Sequence, residues 1–464
     1  MKKKSGNQKL LKILIIILIV AMILLYCIGS FAYVFAETKT RGGIELGATA
    51  GCIYVEEFDG ILWGYNENKQ YNPASMTKLL TCLIAAENLD MKEKVTISSK
   101  DISLPNNSPY LQAGEEITVE NLMHLALITS NNEAANALAL RVSKNVTAFS
   151  ELMNEKASEL GCLNSKFGNP TGLDNPMNRS TAYDMALITE AALSNSIVAE
   201  ICAKATYELP SSNKHESKTL ENTNLFLNGG KFTNTAGKKE KVKRIKEVYG
   251  GKTGTTVSGR ATMSVATEIN GLHVIAVIYN STIEERYNDI RKLISYAKTN
   301  VTPYEAFKNG YKFSEKAKVK GGEKTRISGI AASSGMINLP EGASASLVSY
   351  EVIYIEDLAA PIAKGQKIGE VNIYTSDDLV KTVDVLATSD IKEGWFPSKF
   401  GISNFQTVII CLFVFAIIAM VLAVLVLRYR NLKRAAEIRK RKIQEIAKKQ
   451  LEREQDVKRR DWPY

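Results

Sequence analysis

The sequence predicts an α+β protein in which helices pack on an antiparallel sheet, followed by a small all-β domain and a C-terminal transmembrane helix. Three observations predict it. A strand hairpin pattern precedes a long block of helical patterns, alternating strands follow after residue 249, and an uncharged apolar run lies near the C-terminus. Strands that flank a block of helices are typical of helices packed on one antiparallel sheet.

Residues 1–36 predict a signal peptide or an N-terminal membrane segment. Residues 1–12 contain five lysines and no acid, and the apolar run that follows ends at Ala36. A basic start, an apolar centre and a small final residue are typical of a secretory signal. We favour cleavage after Ala36, with an uncleaved anchor as the alternative. Both place residue 37 onwards outside the cytoplasm.

Residues 37–300 predict the main domain. It begins with a strand hairpin over residues 48–72. Helical patterns then cover residues 74–89, 117–143, 147–160 and 180–195. Apolar residues alternate with polar ones on both sides of Asn270-Gly271, a dipeptide that favours a tight β-hairpin. A helix at about 283–299 closes the domain.

The C-terminal third predicts a membrane-bound arrangement. Residues 310–392 contain short β-branched runs separated by Gly and Pro, which indicates a membrane-proximal β domain. Residues 407–427 are uncharged and long enough to span a bilayer as a helix. Residues 428–464 contain fourteen Lys or Arg and six acids. Because basic flanks remain on the inner side, we expect this tail in the cytoplasm and the main domain on the outer side of the membrane.

The formal net charge of +10 does not indicate nucleic-acid binding, because the excess of positive charge lies in the two membrane flanks. Four of the six cysteines belong to the exported part and lie outside any metal-like spacing: Cys52, Cys82, Cys162 and Cys202. We expect buried free thiols there. The three histidines are scattered, so we expect neither a metal site nor a cofactor.

The segment EVYGGKTGTT, residues 247–256, allows two interpretations. Gly251-Lys252-Thr253 looks like the end of a phosphate-binding loop. That motif needs a glycine where this chain has Lys246, and it opens a helix instead of a strand. The remaining interpretation makes Lys252-Thr253-Gly254 a strand that receives a substrate carboxylate beside a nucleophilic serine.

Two further motifs supply the partners of that strand. Ser75-Met76-Thr77-Lys78 begins a helix, and positions i and i+3 lie on one helical face, so the hydroxyl and the amine can meet. A lysine of lowered pKa can take the proton of a serine nucleophile. Ser130-Asn131-Asn132 lies between two apolar helices. Each motif alone is also typical of an ordinary helix cap or turn.

In this order, the three motifs resemble those of serine D-alanyl-D-alanine carboxypeptidases, the low-molecular-mass penicillin-binding proteins. Residues 167–188 resemble that family's Gly-Leu-Asp loop and the helix after it, and residues 358–374 resemble its membrane-proximal β domain. The resemblance covers about residues 45–390. It implies the fold of the serine β-lactamases and penicillin-binding proteins for the catalytic domain.

The resemblance also implies a role for each motif residue. Ser75 would attack the D-Ala–D-Ala bond of a peptidoglycan stem peptide, Lys78 would accept its proton, and Ser130 would pass a proton to the departing D-Ala. The implied substrate-binding residues are Asn132, Lys252, Thr253, Gly254 and Thr255, with the backbone N–H groups of Ser75 and Thr255 as the oxyanion hole. β-Lactams would acylate Ser75.

Two residues depart from the family pattern. Asn131 stands where Gly or Ala is common, and Thr171 stands where many members have His. Neither departure removes a catalytic group, and both are candidates for a change of substrate preference. The spanning helix and basic tail are a third departure, since many relatives end in an amphipathic surface helix.

Four functions other than that of the carboxypeptidase would use some of these motifs. A class A β-lactamase needs a loop glutamate, and residues 164–180 contain none. A high-molecular-mass transpeptidase would carry a large domain before its nucleophile. A muropeptide sensor that signals through the tail and a D,D-endopeptidase remain alternatives, and the endopeptidase is the closer one because it uses the same site.

Overall fold

A computed structural model describes residues 43–104, 110–234, 236–339 and 342–460. The predicted signal peptide or N-terminal membrane segment, residues 1–36, therefore lies outside the described residues. The chain forms two compact units. The first extends to Glu305 and includes Met336–Leu347, and the second contains Ala306–Gly335 and the chain from Val348 onwards.

A five-stranded antiparallel sheet forms the centre of the first unit, with strand order β2-β1-β11-β10-β9. The strands are β1 (Ala50–Val55), β2 (Gly60–Tyr65), β9 (Val248–Thr255), β10 (Ala261–Ile269) and β11 (Leu272–Ser281). Asn270 and Gly271 join β10 to β11, and both have positive φ, as a two-residue hairpin turn of type I′ requires. The predicted strand meander is confirmed, and β9 is an edge strand.

Six helices of the described chain pack on one face of this sheet: α1 (Thr77–Asn88), α2 (Val119–Ile128), α3 (Asn132–Val142), α4 (Val146–Glu159), α5 (Ala182–Ser194) and α6 (Ser196–Ala203). α1 is buried from Thr77 to Ala85, which explains its apolar pattern on all sides. α7 (Arg286–Asn300) packs on the opposite face in a second core.

The first unit also contains short two-stranded pairs that the sequence did not indicate: β3 (Lys94–Thr96) with β4 (Glu116–Thr118), β5 (Thr206–Leu209) with β6 (Lys218–Glu221), β7 (Gly230–Thr233) with β8 (Lys239–Val242), and β12 (Pro303–Glu305) with β15 (Met336–Asn338). Strands of three or four residues are too short to show an alternating apolar pattern. Cys52, Cys82, Cys162 and Cys202 are buried and free, as predicted.

The second unit contains a five-stranded antiparallel sheet of order β13-β14-β18-β17-β16. Its strands are β13 (Lys312–Lys318), β14 (Arg326–Ala331), β16 (Val348–Tyr354), β17 (Lys367–Thr375) and β18 (Asp378–Ala387). The chain then forms α8 (Asn404–Arg460). Among the described residues, α8 is the one continuous helix long and apolar enough to cross a membrane. The predicted fold class is confirmed.

Candidate active site

Ser75 lies where the chain turns into α1. Residues Ala74–Met76 form one 3-10 turn ahead of the helix, and Ala74 has a left-handed φ of 47°. The backbone N–H of Ala74 donates to the side-chain oxygen of Asn72 at 2.8 Å, which fixes the entry to the turn. A non-glycine residue in this region is strained and needs support from its surroundings. The turn leaves Ser75 half-buried.

Lys78 is fully buried, one turn along the helix from Ser75. Its Nζ lies 3.0 Å from the Oγ of Ser75, 2.8 Å from the Oδ1 of Asn132 and 2.7 Å from the carbonyl oxygen of Thr171. Burial lowers the pKa of Lys78 well below its usual value, and the charge of Lys252 lowers it further. The amine is therefore held beside the serine hydroxyl in an environment that favours its neutral form.

The turn from Ser130 to Asn132 joins α2 to α3. Ser130 has a left-handed φ of 62°, the second strained non-glycine residue at this site. Its hydroxyl makes no hydrogen bond to Ser75 or Lys78 in the described chain. Asn131 instead caps α3, accepting from the backbone N–H of Ala134 at 2.7 Å. The structure thus places the side chain of Asn132, and not that of Asn131, against Lys78.

The edge strand β9 carries the third motif. Lys252 is 1% exposed, and its Nζ donates to the carbonyl oxygen of Thr253 at 3.2 Å. Burial lowers the pKa of Lys252 to about 8, and the nearby charge of Arg286 acts in the same direction. An edge strand leaves one row of backbone hydrogen-bonding groups open to an added strand, such as an extended peptide.

Gly254 and Thr255 bring β9 against Ser75. A Cβ added at Gly254 would lie 2.4 Å from the Oγ1 of Thr262 and 3.1 Å from the backbone nitrogen of Ser75. Only glycine allows this approach. Thr255, the next residue, is exposed. The backbone of β9 is therefore close to that of Ser75, as a shared oxyanion hole would require.

Two residues of this site, Thr223 and Arg286, were not predicted from the sequence. The Oγ1 of Thr223 accepts a hydrogen bond from the Oγ1 of Thr253 at 2.7 Å. Arg286, at the start of α7, lies close enough to Lys252 to lower its pKa, and its own Nε is buried without a hydrogen-bond partner among the described residues. Neither residue stands in a recognisable motif, so only the folded arrangement reveals them.

Comparison with known proteins places this geometry in a family. Residues 45–282, just over half of the chain, match the family described as D-alanyl-D-alanine carboxypeptidase. The chain belongs to the D-alanyl-D-alanine carboxypeptidase family. Residues 302–393 match the C-terminal domain of penicillin-binding protein 5. This carboxypeptidase is thus a low-molecular-mass penicillin-binding protein and a serine hydrolase, as the resemblance of its motifs implied.

Individual relatives agree with the family. D-alanyl-D-alanine carboxypeptidase DacF of Bacillus subtilis (strain 168) is 29% identical over 371 residues, which cover 78% of this carboxypeptidase and 91% of DacF. D-alanyl-D-alanine endopeptidase of Escherichia coli (strain K12) is 32% identical over 214 residues, which cover 44% and 68% of the two chains. Penicillin-binding protein 5 from Haemophilus influenzae has the same fold, with a TM-score of 0.63 at 24% identity over 76% of this chain and 100% of that one.

Proposed function

We propose that this carboxypeptidase removes the terminal D-Ala from peptidoglycan stem pentapeptides through an acyl-enzyme on Ser75, and thereby limits crosslinking of the cell wall. The surroundings of Lys78 carry the proposal. Two of its three polar neighbours are carbonyl oxygens, which cannot donate a hydrogen. In its neutral form the amine would donate to those two oxygens and accept from the hydroxyl of Ser75, whose Oγ lies 3.0 Å from Nζ.

In the acylation step, Ser75 Oγ attacks the carbonyl carbon of the D-Ala–D-Ala bond while its proton moves to Lys78 Nζ. The backbone N–H groups of Ser75 and Thr255 stabilise the negative charge on the former carbonyl oxygen. The C–N bond then breaks, and the departing amine takes a proton from the Lys78 ammonium through the hydroxyl of Ser130. This relay returns Lys78 to its neutral form.

The carboxylate of the terminal D-Ala is received at β9. Lys252 and Arg286 provide positive charge, and the hydroxyl of Thr253 completes the receptor. A buried cation beside a half-buried one favours an anion, because the protein interior screens charge less than water does. Asn132, at the start of α3, holds the peptide amide on the side of the substrate that faces away from β9. Water then adds to the ester of the acyl-enzyme, the bond to Ser75 Oγ breaks, and the serine hydroxyl is restored.

The location follows from the same proposal. α8 anchors the chain in the cell membrane, with the catalytic unit on the outer side, where the substrate is, and the basic tail in the cytoplasm. The uneven charge supports this orientation, since the tail after residue 427 is rich in Lys and Arg.

The test is release of D-Ala from a pentapeptide that ends in D-Ala–D-Ala, measured for the wild type and Ser75→Ala. We expect release only from the wild type, and labelling by a penicillin only in the wild type. A wild type that takes up penicillin at Ser75 but cleaves only crosslinked dimers would replace this proposal with the endopeptidase. Rapid turnover of the penicillin would indicate a β-lactamase, and penicillin uptake without cleavage of either peptide would indicate a sensor.

A further inference from the structure

A pocket of about 190 Å³ lies at the end of β9, beyond Thr255. It is bounded by the chain just before the nucleophile, at Tyr71 and Asn72, by the Gly-Leu-Asp loop at Asp174, and by the β9–β10 hairpin from Thr256 to Arg260. The Oγ1 of Thr262 donates to the carbonyl oxygen of Pro73, which joins the floor of the pocket to the segment that carries Ser75.

The direction of the bound peptide brings it to this pocket. Under the proposed function, the terminal carboxylate lies at Lys252 and Thr253, and the scissile carbonyl lies at Ser75 and Thr255. The acyl part of the substrate therefore continues along β9 towards the hairpin. Thr253 and Thr256 are about 10 Å apart along an extended strand. That is about the length of three extended residues, so the third residue from the substrate's C-terminus arrives at Thr256.

The pocket carries one charge of each sign. Asp174 and Arg260 both line it, and both are exposed. Neither makes an ion pair with a residue of the described chain. The amide of Asn72 donates to the Oδ1 of Asp174 at 2.9 Å, which orients the carboxylate.

The hairpin fixes the origin of the arginine side chain. The backbone N–H of Thr256 donates to the carbonyl oxygen of Arg260 at 2.9 Å, and the N–H of Arg260 donates to the Oγ1 of Thr256 at 3.2 Å. The hydroxyls of Thr256 and Ser258 lie 2.9 Å apart on the same wall. A hydrogen-bonded loop thus places an arginine and two hydroxyls in the lining of the pocket that also contains the carboxylate of Asp174.

We propose that this pocket, the hairpin pocket, binds the side chain of the third stem residue and selects one that ends in both an ammonium and a carboxylate. The inference rests on the proposed function, since it uses the direction of the bound peptide. Arg260 pairs with the side-chain carboxylate in the geometry that guanidinium groups favour, and Asp174 pairs with the ammonium. A side chain that ends in an ammonium alone, such as lysine, satisfies Asp174 and leaves Arg260 without a partner.

The test compares kcat/KM of the full chain in detergent on three peptides. Two are N-acetylated pentapeptides that end in D-Ala–D-Ala and differ only at residue three, which is meso-diaminopimelate or L-lysine. The third, N-acetyl-D-Ala–D-Ala, has no third stem residue and serves as the internal reference for each variant. A variant that merely loses structure lowers all three values together and leaves their ratios unchanged.

We expect the wild type to prefer the diaminopimelate peptide about tenfold over the lysine peptide, the range of one charge-assisted hydrogen bond. Arg260→Gln should bring that ratio close to one. Asp174→Asn should lower kcat/KM for both pentapeptides relative to the reference peptide and leave the ratio between the two pentapeptides unchanged. Arg244→Gln is the matched control, because Arg244 is exposed and does not line the pocket.

Equal kcat/KM for the two pentapeptides in the wild type would overturn the inference, as would an Arg260→Gln variant that keeps the wild-type ratio. Those results are distinct from failure of the proposed function, in which the wild type releases D-Ala from none of the three peptides. That outcome would remove both proposals.

Discussion

The charge of Lys252 lowers the pKa of Lys78. Burial is the largest cause of the lowered pKa of each lysine. The pKa of Lys252 falls to about 8, and that of Lys78 falls well below its usual value. Like charges that are close together disfavour double protonation. One lysine can therefore serve as a neutral base while the other remains a cation.

This pair predicts a bell-shaped dependence of kcat/KM on pH. Activity rises with pH as Lys78 loses its proton and becomes a base. It falls as pH rises through about 8, because Lys252 then loses the charge that holds the substrate carboxylate. The measurement is D-Ala release between about pH 5 and pH 10, where each limb reports an essential group of the free enzyme. A profile that stays flat through pH 8 would contradict this role for Lys252.

Lys252→Arg is the matched variant for the alkaline limb. Arginine remains protonated throughout the range, so the limb should move up by more than about one pH unit. The maximum rate should fall, because a guanidinium does not fit the space of a buried ammonium. An alkaline limb that stays at pH 8 in this variant would assign it to another group.

Lys78→Met should abolish the base without adding a charge. We expect acylation by a labelled penicillin to slow by at least about 10²-fold, the lower range of a general base. A cooperative thermal unfolding transition checks that the variant folds. Lys92→Met serves as the control, since Lys92 is exposed and its substitution should leave acylation unchanged. Undiminished acylation in Lys78→Met would rule out Lys78 as the base.

Gly254→Ala should lower the acylation rate through the backbone alone. The new Cβ would lie 2.4 Å from the Oγ1 of Thr262 and would push β9 away from Ser75. A misplacement of about 1 Å can cost about 10²-fold in rate. Gly60→Ala is the control, because its nearest neighbour would lie at 3.7 Å. If both variants acylate at the wild-type rate, the close approach of β9 has no part in catalysis.

Deletion of residues 404–464 tests the membrane anchor. We expect the shortened chain in the soluble fraction with kcat/KM unchanged, because the candidate site lies wholly in the first unit. Fractionation of cells that express each form, followed by the D-Ala assay, gives the result. A shortened chain that remains with the membrane would show instead that residues 1–36 are retained as an anchor.

The sequence predicted those features that depend only on residues close together along the chain. Ser75 and Lys78 meet because a helix places positions i and i+3 on one face. Asn270-Gly271 forms a tight hairpin because its conformation is set by the two residues themselves. The apolar run of residues 407–427 predicts a helix by length and composition alone.

The properties that depend on distant segments could not be read in this way. Thr223 and Arg286 carry no motif, and each joins the site through contacts made only in the folded chain. From the sequence, Asn131 was a departure from the family pattern with a candidate role in substrate preference. In the structure its side chain caps α3. The hairpin pocket likewise forms only when folding brings together the separate loops that carry Asp174 and Arg260.

The sequence by itself therefore determined the fold class and the family, and it predicted the residues that we propose carry the chemistry. The tertiary structure decided how those residues can act. The pKa values of Lys78 and Lys252 are set mainly by burial, and burial comes from packing between segments far apart in the chain. Spacing along the chain can bring an amine to a hydroxyl, but only the packed interior removes the water that would keep the amine charged.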